Sequence, residues 1–153
     1  MSTLSNARDL FLVQLAELLW IERTLEHDVL PKALDDVADE PLRQAIAEHL
    51  EETREHVRRV ERAFLTVAAE PAASRTEVLA PVSRHVKEPV LNDIFHAGEA
   101  ARIEHLELAL YGVAIRLAPG DAADVLEQNR KDEERALAVM ERQATRLRNG
   151  LPR

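Results

Sequence analysis

Apolar residues recur every three or four positions along most of the chain, the spacing that places them on one face of an α-helix. The few prolines and glycines divide this pattern into segments. It predicts four long helices, at residues 5–38, 41–69, 89–118 and 122–148, and a shorter, weakly patterned helix at 75–87. Pro31 lies inside the first helix, and because proline has no backbone N–H we expect a kink or a local break there.

Two short connections join consecutive long helices. Asp39-Glu40-Pro41 combines a capping residue with a proline suited to a first helical turn, and Pro119-Gly120-Asp121 makes a tight turn. Short connections make consecutive helices antiparallel neighbours, so we expect two helical hairpins joined by a long crossover at 70–88. The predicted fold is all-α, an antiparallel four-helix bundle with a short extra helix in the crossover, formed by residues 1–153 as one domain.

Each predicted long helix carries its apolar residues in a stripe along one face, and polar residues interrupt these stripes at one level of the bundle. The stripes of the first and third long helices each contain one acid, Glu22 and Glu104, and the stripe of the fourth contains Asn129 and Glu133. Residues equally far from a hairpin turn lie opposite each other. Counting from the turns at about 1.5 Å per residue puts the polar residues of each hairpin within about 3–5 Å of the same depth.

The second long helix adds His49, Glu52 and His56, which share one flank of that helix. Buried carboxylates at one depth repel each other unless cations lie between them. Oxygen and imidazole ligands suit iron or manganese, so we predict a site for one of these metals, with room for two ions and no organic cofactor. The alternative is that each acid reaches solvent or an arginine, and the bundle is structural only.

The composition of the chain excludes or disfavours several classes of function. The 153 residues include no cysteine, which excludes disulfides, thiolate nucleophiles and iron–sulfur ligation. The net charge of −8 disfavours binding to nucleic acid or to an anionic membrane. The most apolar stretch, at residues 10–21, contains Gln14 and Glu17 and is too short to span a bilayer. We therefore expect a cytoplasmic protein that binds neither nucleic acid nor membrane.

A second apolar face on two helices predicts a protein partner. Val13 and Trp20 project away from the Glu22 stripe, and Leu106, Leu110 and Val113 project away from the Glu104 stripe. Large apolar side chains are seldom left in water in such numbers, so we expect a homodimer through the outer faces of the first and third long helices. The alternative is that the crossover helix covers one of these faces.

Several segments resemble the YciE/YciF family of small, ferritin-like bacterial proteins associated with stress. They are Ala7-Arg8-Asp9-Leu10-Phe11, Leu30-Pro31-Lys32, His49-Leu50-Glu51-Glu52-Thr53 with His56, Ile103-Glu104-His105-Leu106-Glu107 with Tyr111-Gly112, and Glu133-Glu134-Arg135-Ala136. The resemblance implies a ferritin-like bundle that dimerises. It also implies metal ligands at Glu22, Glu52, His56, Glu104 and Glu133. Asn129 stands where relatives usually carry an acid, and the fourth helix has no histidine.

A carboxylate-rich, water-poor site favours oxidised metal ions, so we expect ferroxidase-like or peroxide-consuming chemistry. In this hypothesis Glu22 and Glu133 are terminal ligands, Glu52 and Glu104 bridge, and His56 supplies nitrogen. Four further residues are candidates for supporting the ligands or replacing one of them: His49, Glu107, Tyr111 and Asn129. The alternative function is a metal-free or single-metal helical dimer that acts as a structural or interaction module.

Overall fold

Four long helices dominate the computed structural model, which describes residues 4–77, 79 and 86–152. In chain order the helical elements are α1 (Ala7–Thr24), a π-helical turn (Leu25–Val29), α2 (Leu30–Asp36), α3 (Glu40–Thr66), α4 (Pro89–Leu117) and α5 (Ala122–Asn149). The described residues contain no strand. The all-α prediction is confirmed, and the predicted ends of the four long helices lie within three residues of the observed ones.

The first predicted helix is continuous but changes its hydrogen-bond pattern before Pro31. The N–H of Leu30 donates to the carbonyl of Leu25, five residues earlier, as in a π-helix. Pro31 cannot donate to the carbonyl of His27 and its ring crowds that carbonyl. The wider π-helical turn accommodates this defect, so the chain passes through Pro31 without ending the helix.

Side-chain caps and one buried acid set the register of the helices. Asn6 and Asp39 accept hydrogen bonds from the free N–H groups at the starts of α1 and α3. The carboxylate of Asp93, near the start of α4, accepts from the backbone N–H of Ala38 at 2.9 Å and of Asp39 at 3.0 Å. The starts of α3 and α4 are therefore neighbours, and the two helices run in the same direction.

The packing of the helices matches two antiparallel hairpins. α1 packs against α3 and α4, and α5 packs against the same two helices, so α1 and α5 occupy opposite corners of the bundle. The turn between α4 and α5 contains Gly120 with φ of 52°, a left-handed conformation that glycine adopts without strain.

The core consists of two apolar clusters separated by an ionisable layer. One cluster includes Ile21, Leu25, Ile46 and Met140, and the other includes Phe11, Leu18, Val60, Phe64 and Leu126. Glu22, His56, Glu104 and Glu133 lie between these clusters and are at most 1% exposed. A layer of this kind is destabilising unless its charges are compensated.

The described part of the crossover between α3 and α4 contacts α1. The N–H of Ser74 donates to the carbonyl of Ala16 at 2.9 Å, and Leu79 is buried. The short helix predicted at 75–87 falls largely on 78 and 80–85, which lie outside the described residues. The described residues of that stretch, 75–77, 79, 86 and 87, are not helical.

The residues of the expected dimer face differ in their exposure. Val13 is 36% exposed and Val113 is 42% exposed. Trp20, Leu106 and Leu110 are half-buried because they pack against the apolar clusters of their own chain. The outward apolar face is therefore smaller than the helical spacing alone indicated. None of the helices in the described part of the chain is both long and apolar enough to span a membrane.

Candidate metal centre

All four long helices place ionisable side chains in the layer between the two apolar clusters. α1 supplies Glu22, α3 supplies His49 and His56, α4 supplies Glu104, and α5 supplies Glu133. His49 and His56 are seven residues apart, two helical turns, so both imidazoles leave α3 on the same side. Their ring centres are 6.4 Å apart.

The first of two ligand groups surrounds His56. Its Nδ1 lies 2.7 Å from Glu133 Oε1 and 3.5 Å from Glu22 Oε2. One nitrogen and two carboxylate oxygens of these three residues all lie within 4.8 Å of one another. All three side chains are fully buried.

The second group surrounds His49. Its Nε2 lies 2.9 Å from Glu104 Oε1 and 4.0 Å from Glu133 Oε2. Ligand atoms of His49, Glu104 and Glu133 also lie within 4.8 Å of one another. Glu133 thus belongs to both groups, and each of its two oxygens faces a different histidine.

Most of the facing atoms of both groups lack hydrogen-bond partners. Among the described residues, ten buried side-chain N or O atoms have none, and nine of them belong to Glu22, His49, His56, Glu104, Glu107 and Glu133. Several of these atoms lie within ion-pair distance of one another, as His56 Nδ1 and Glu133 Oε1 do at 2.7 Å. Carboxylate oxygens and imidazole nitrogens that converge without hydrogen-bond partners are better explained by a cation bound between them than by a self-contained hydrogen-bond network.

Each histidine has a second carboxylate on the side facing away from the site. Asp132 Oδ2 lies 3.3 Å from His56 Nε2 and accepts a hydrogen bond from Arg59 at 2.7 Å. Glu52 Oε2 lies 3.7 Å from His49 Nδ1. Carboxylates in this position fix the ring orientation of metal-binding histidines and increase their basicity.

A polar chain supports Glu22 from the other side. The buried hydroxyl of Tyr111 donates to Glu22 Oε1 and accepts from Asn129 Nδ2 at 2.9 Å. The Asn129 amide also donates to the carbonyl of His56 at 3.2 Å, and its oxygen accepts from Arg59 at 3.1 Å. Tyr111 and Asn129 therefore orient Glu22 and anchor α5 to α3.

The pKa values show how the layer is neutralised when it holds no cation. Burial and the charge of Glu104 raise the pKa of Glu133 to about 8. Burial followed by the charges of Glu133, Glu22 and Glu104 raises the pKa of Glu107 well above its usual range. Burial lowers the pKa of His56, but the carboxylates of Glu22 and Glu133 outweigh it and raise that pKa to about 11. When no cation is bound, protons held by these side chains therefore reduce the negative charge of the layer.

The structure brings together four of the five predicted ligands, Glu22, His56, Glu104 and Glu133. Glu52 does not join them, since its side chain is 41% exposed and its one ion pair among the described residues is with the outer nitrogen of His49. His49, predicted as a supporting or alternative ligand, lies inside the second group instead. Glu133, expected to be terminal, is the residue shared by the two groups, the position expected for Glu52 and Glu104.

Two supporting residues were not predicted from the sequence. Asp132 and Arg59 lie in segments of mixed charge that resemble solvated helix faces, yet they pair across α5 and α3 at 2.7 Å. The only signal in the sequence was that Asp132 directly precedes Glu133 and that Arg59 lies three residues after His56. Glu107, predicted as a supporting residue, is fully buried and both its oxygens lack a hydrogen-bond partner in the described structure.

Known proteins share this fold. The chain is 22% identical to the stress protein YciF of E. coli, with a TM-score of 0.85 over 97% of this chain and 100% of that chain. It is 22% identical to YcfI of Rhodopseudomonas palustris, with a TM-score of 0.80 over 90% of this chain and 94% of that chain. A protein of Xanthomonas campestris is 20% identical, with a TM-score of 0.73 over 92% of each chain. No curated protein matches the chain.

These identities are low, so the likeness to solved structures establishes the fold alone, a YciF-like helical bundle. The sequence match is more specific. A family model described as "Domain of unknown function (DUF892)" matches residues 6–150, nearly the whole chain. Together these findings confirm the predicted resemblance to YciE/YciF proteins, and the chain belongs to the DUF892 family.

Proposed function

We propose that the chain is a ferritin-like metal-binding protein that holds two divalent cations, iron or manganese, in the layer between its apolar clusters. One cation is bound by Glu22, His56 and Glu133, and the other by His49, Glu104 and Glu133. The observation that carries this proposal is the sharing of Glu133 by two buried groups of convergent, unpaired ligand atoms. Carboxylate and imidazole donors on facing helices of a bundle suit both metals.

When bound, iron supplies electron-transfer chemistry toward oxygen or peroxide, so we propose a ferroxidase-like or peroxide-consuming activity. Neighbouring side chains hold the proposed ligands in position for this chemistry and exclude water from the site. Tyr111 holds one oxygen of Glu22, and Asp132 holds the outer nitrogen of His56. The apolar clusters above and below exclude bulk water and increase the strength of every charge interaction in the layer.

Metal binding is tested by titrating metal-free protein with ferrous iron under anaerobic conditions, followed by elemental analysis and by oxygen uptake on exposure to air. We expect about two ions per chain. Glu133→Gln removes the shared charge while keeping the size of the side chain, and we expect less than one ion per chain. Glu134→Gln is the matched control because that side chain lies on the exposed face of the same helix and pairs with Arg130.

Near-zero metal binding by the unaltered protein would overturn the proposal. In that case the rival function is a metal-free structural module, which the close approaches of His56 to Glu133 and of His49 to Glu104 support as internal ion pairs. The two functions differ in a second measurement. A metal site predicts that Glu133→Gln leaves the thermal stability of the metal-free protein unchanged or higher, whereas a structural ion-pair network predicts a clear loss.

The proposed assembly is a homodimer through the outer faces of α1 and α4. Val13 and Val113 are the most exposed members of the expected interface, and Trp20, Leu106 and Leu110 form its half-buried border. Light scattering after size exclusion is expected to give twice the mass of one chain. Val113→Glu should shift that mass toward the monomer, and a monomeric unaltered protein would contradict this assembly.

A further inference from the structure

A pocket of about 120 Å³ opens beside one half of the candidate metal centre. It lies between the π-helical turn and α2 on one side and the first half of α4 on the other. Its walls are mostly apolar and include Leu25, Val29, Ala33, Phe95 and Ile103. An apolar cavity of about 150 Å³ binds benzene in another protein, so this pocket has room for roughly five or six non-hydrogen atoms.

The inner end of the pocket is formed by two members of the second ligand group. His49 and Glu104 line the pocket and are 3% and 1% exposed, which makes them its deepest polar residues. Glu22 and His56, which belong to the first group, are fully buried and do not line it. The two halves of the centre therefore differ: the His49 half faces an open pocket, and the His56 half is closed off by the core.

Charges at the outer end of the pocket are mixed. Lys32 and Asp36 are exposed, and His96 and Glu99 are half-buried. This end presents one lysine and two carboxylates, and the inner end presents Glu104. An anionic ligand would have to pass Asp36 and Glu99 through apolar walls, and at the inner end Glu104 lies 2.9 Å from His49 and offsets the charge of that ring, so its entry is unfavourable. A neutral molecule meets no such barrier.

The irregular helix explains why the pocket exists. Leu25 and Val29 are the first and last residues of the π-helical turn, and both line the pocket. A π-helical turn widens the helix and displaces the side chains that follow, and such turns are frequent at functional sites. Pro31 favours this turn because it cannot donate to the carbonyl of His27, so it contributes to the gap between α2 and α4.

We infer that this pocket binds a small, uncharged organic molecule with an apolar body and one polar end, and that the polar end contacts His49 and Glu104. The apolar walls accept the body, and the mixed charges of the mouth exclude small organic anions. The role of this molecule as a substrate or ligand of the metal centre rests on the proposed function. Binding to the pocket itself does not.

The inference is tested by NMR titration of the metal-free protein, in which proton–nitrogen correlation spectra follow the backbone amides and proton spectra follow the histidine rings. Isobutanol is the probe, and isobutyrate is its charged counterpart. We expect isobutanol to shift the amide signals of Ala33, Ala100 and Ile103 and the carbon-bound ring protons of His49, with saturation at millimolar concentration. The ring protons of His56 should not move. Isobutyrate should shift none of these signals at the same concentrations.

Two variants locate the binding. Ala100→Leu fills the pocket from α4 and should abolish the shifts, whereas Ala138→Leu, at a half-buried alanine of α5 that does not line the pocket, should retain them. If circular dichroism shows that Ala100→Leu does not fold, Ala33→Leu fills the pocket from α2 and carries the same expectation.

Absence of shifts in the unaltered protein would overturn the inference, as would shifts that persist in the filled variant or that spare the ring of His49. Because the protein is metal-free in this experiment, its outcome is independent of whether the centre binds cations. Failure of the pocket and failure of the proposed metal centre are therefore separate results.

Discussion

At the residue scale, the two histidines of α3 organise the centre. Each imidazole directs one nitrogen toward the carboxylates of the layer and the other toward an outer carboxylate, Asp132 for His56 and Glu52 for His49. The inner nitrogens differ, Nδ1 for His56 and Nε2 for His49. A hydrogen bond to an outer carboxylate leaves the other ring nitrogen free to bind a cation, and Asp132 lies within hydrogen-bond distance of His56 at 3.3 Å.

Asp132→Asn tests the outer carboxylate of His56. The substitution keeps the size of the side chain and removes the charge next to Nε2, so we expect the affinity for Mn²⁺ to fall by about tenfold to a hundredfold. Anaerobic isothermal titration calorimetry measures this change. Asp124→Asn, at an exposed position in the first turn of α5, is the control and should keep the affinity of the unaltered protein. Equal affinities for both variants would contradict the role of Asp132.

The pH dependence of metal binding follows from the pKa of two ligands. In the metal-free protein the pKa of His56 is raised to about 11, because the surrounding carboxylates outweigh burial, and that of Glu133 is raised by burial and Glu104 to about 8. Both groups therefore carry protons at pH 7, and a cation must displace them. We expect the affinity for Mn²⁺ to rise between pH 6 and pH 8. The dependence of the binding enthalpy on buffer ionisation measures the protons released, and a value of zero would contradict this prediction.

The sequence predicted most of the residues that the structure brings together in the layer, because a charged residue in an apolar stripe is conspicuous at Glu22, Glu104 and Glu133. It could not choose between His49 and Glu52. These residues are three positions apart, about 60° around the helix, and a rotation of that size decides whether a side chain faces the layer or the solvent. Packing of α3 against α1 and α5 sets that rotation, and the spacing within α3 carries no information about it.

At the element scale, the helix ends are determined by local sequence and the π-helical turn is not. Asn6, Asp39, Pro89 and Gly120 mark ends that the sequence placed within a few residues, because capping and turn formation depend on neighbouring residues. The sequence indicated a defect near Pro31 but not its form. Whether a helix kinks, ends or widens there depends on the elements packed against it, in this case chiefly α3.

Asp93 joins the start of α4 to the turn before α3. Its carboxylate is 2% exposed and accepts two backbone N–H groups, those of Ala38 and Asp39. Asp93→Ala leaves both donors without their partner, so we expect the free energy of unfolding to fall by about 2 kcal/mol. Urea denaturation of the metal-free protein measures the change. Glu48→Ala, at an exposed position of α3, should change stability by less than about 0.5 kcal/mol. A similarly small effect at Asp93 would contradict this role.

At the scale of the whole molecule, the proposed function implies that the ionisable layer exchanges stability for binding capacity. Two apolar clusters hold the bundle together above and below a set of buried carboxyl groups. Replacing those groups by apolar residues would join the clusters into one continuous core. A bundle without function in this layer would gain stability from that replacement, so the layer indicates a role beyond structure.

Glu107→Leu measures this exchange. Glu107 is fully buried and its oxygens lack hydrogen-bond partners among the described residues, so its removal should stabilise the metal-free protein by about 1–3 kcal/mol. Thermal and urea unfolding report the change. Glu141→Leu is the exposed control, with 58% of its side chain in solvent, and should have little effect. A marked loss of stability in Glu107→Leu would show that the layer is a structural network.

The most direct test of the two-cation centre is an anomalous difference map from crystals grown with Mn²⁺, recorded at the manganese absorption edge. We expect two peaks, one on each side of the Glu133 carboxylate, the first in contact with Glu22 and His56 and the second with His49 and Glu104. A map with one peak, with no peak in the layer, or with peaks only on the protein surface would contradict a centre that binds two cations.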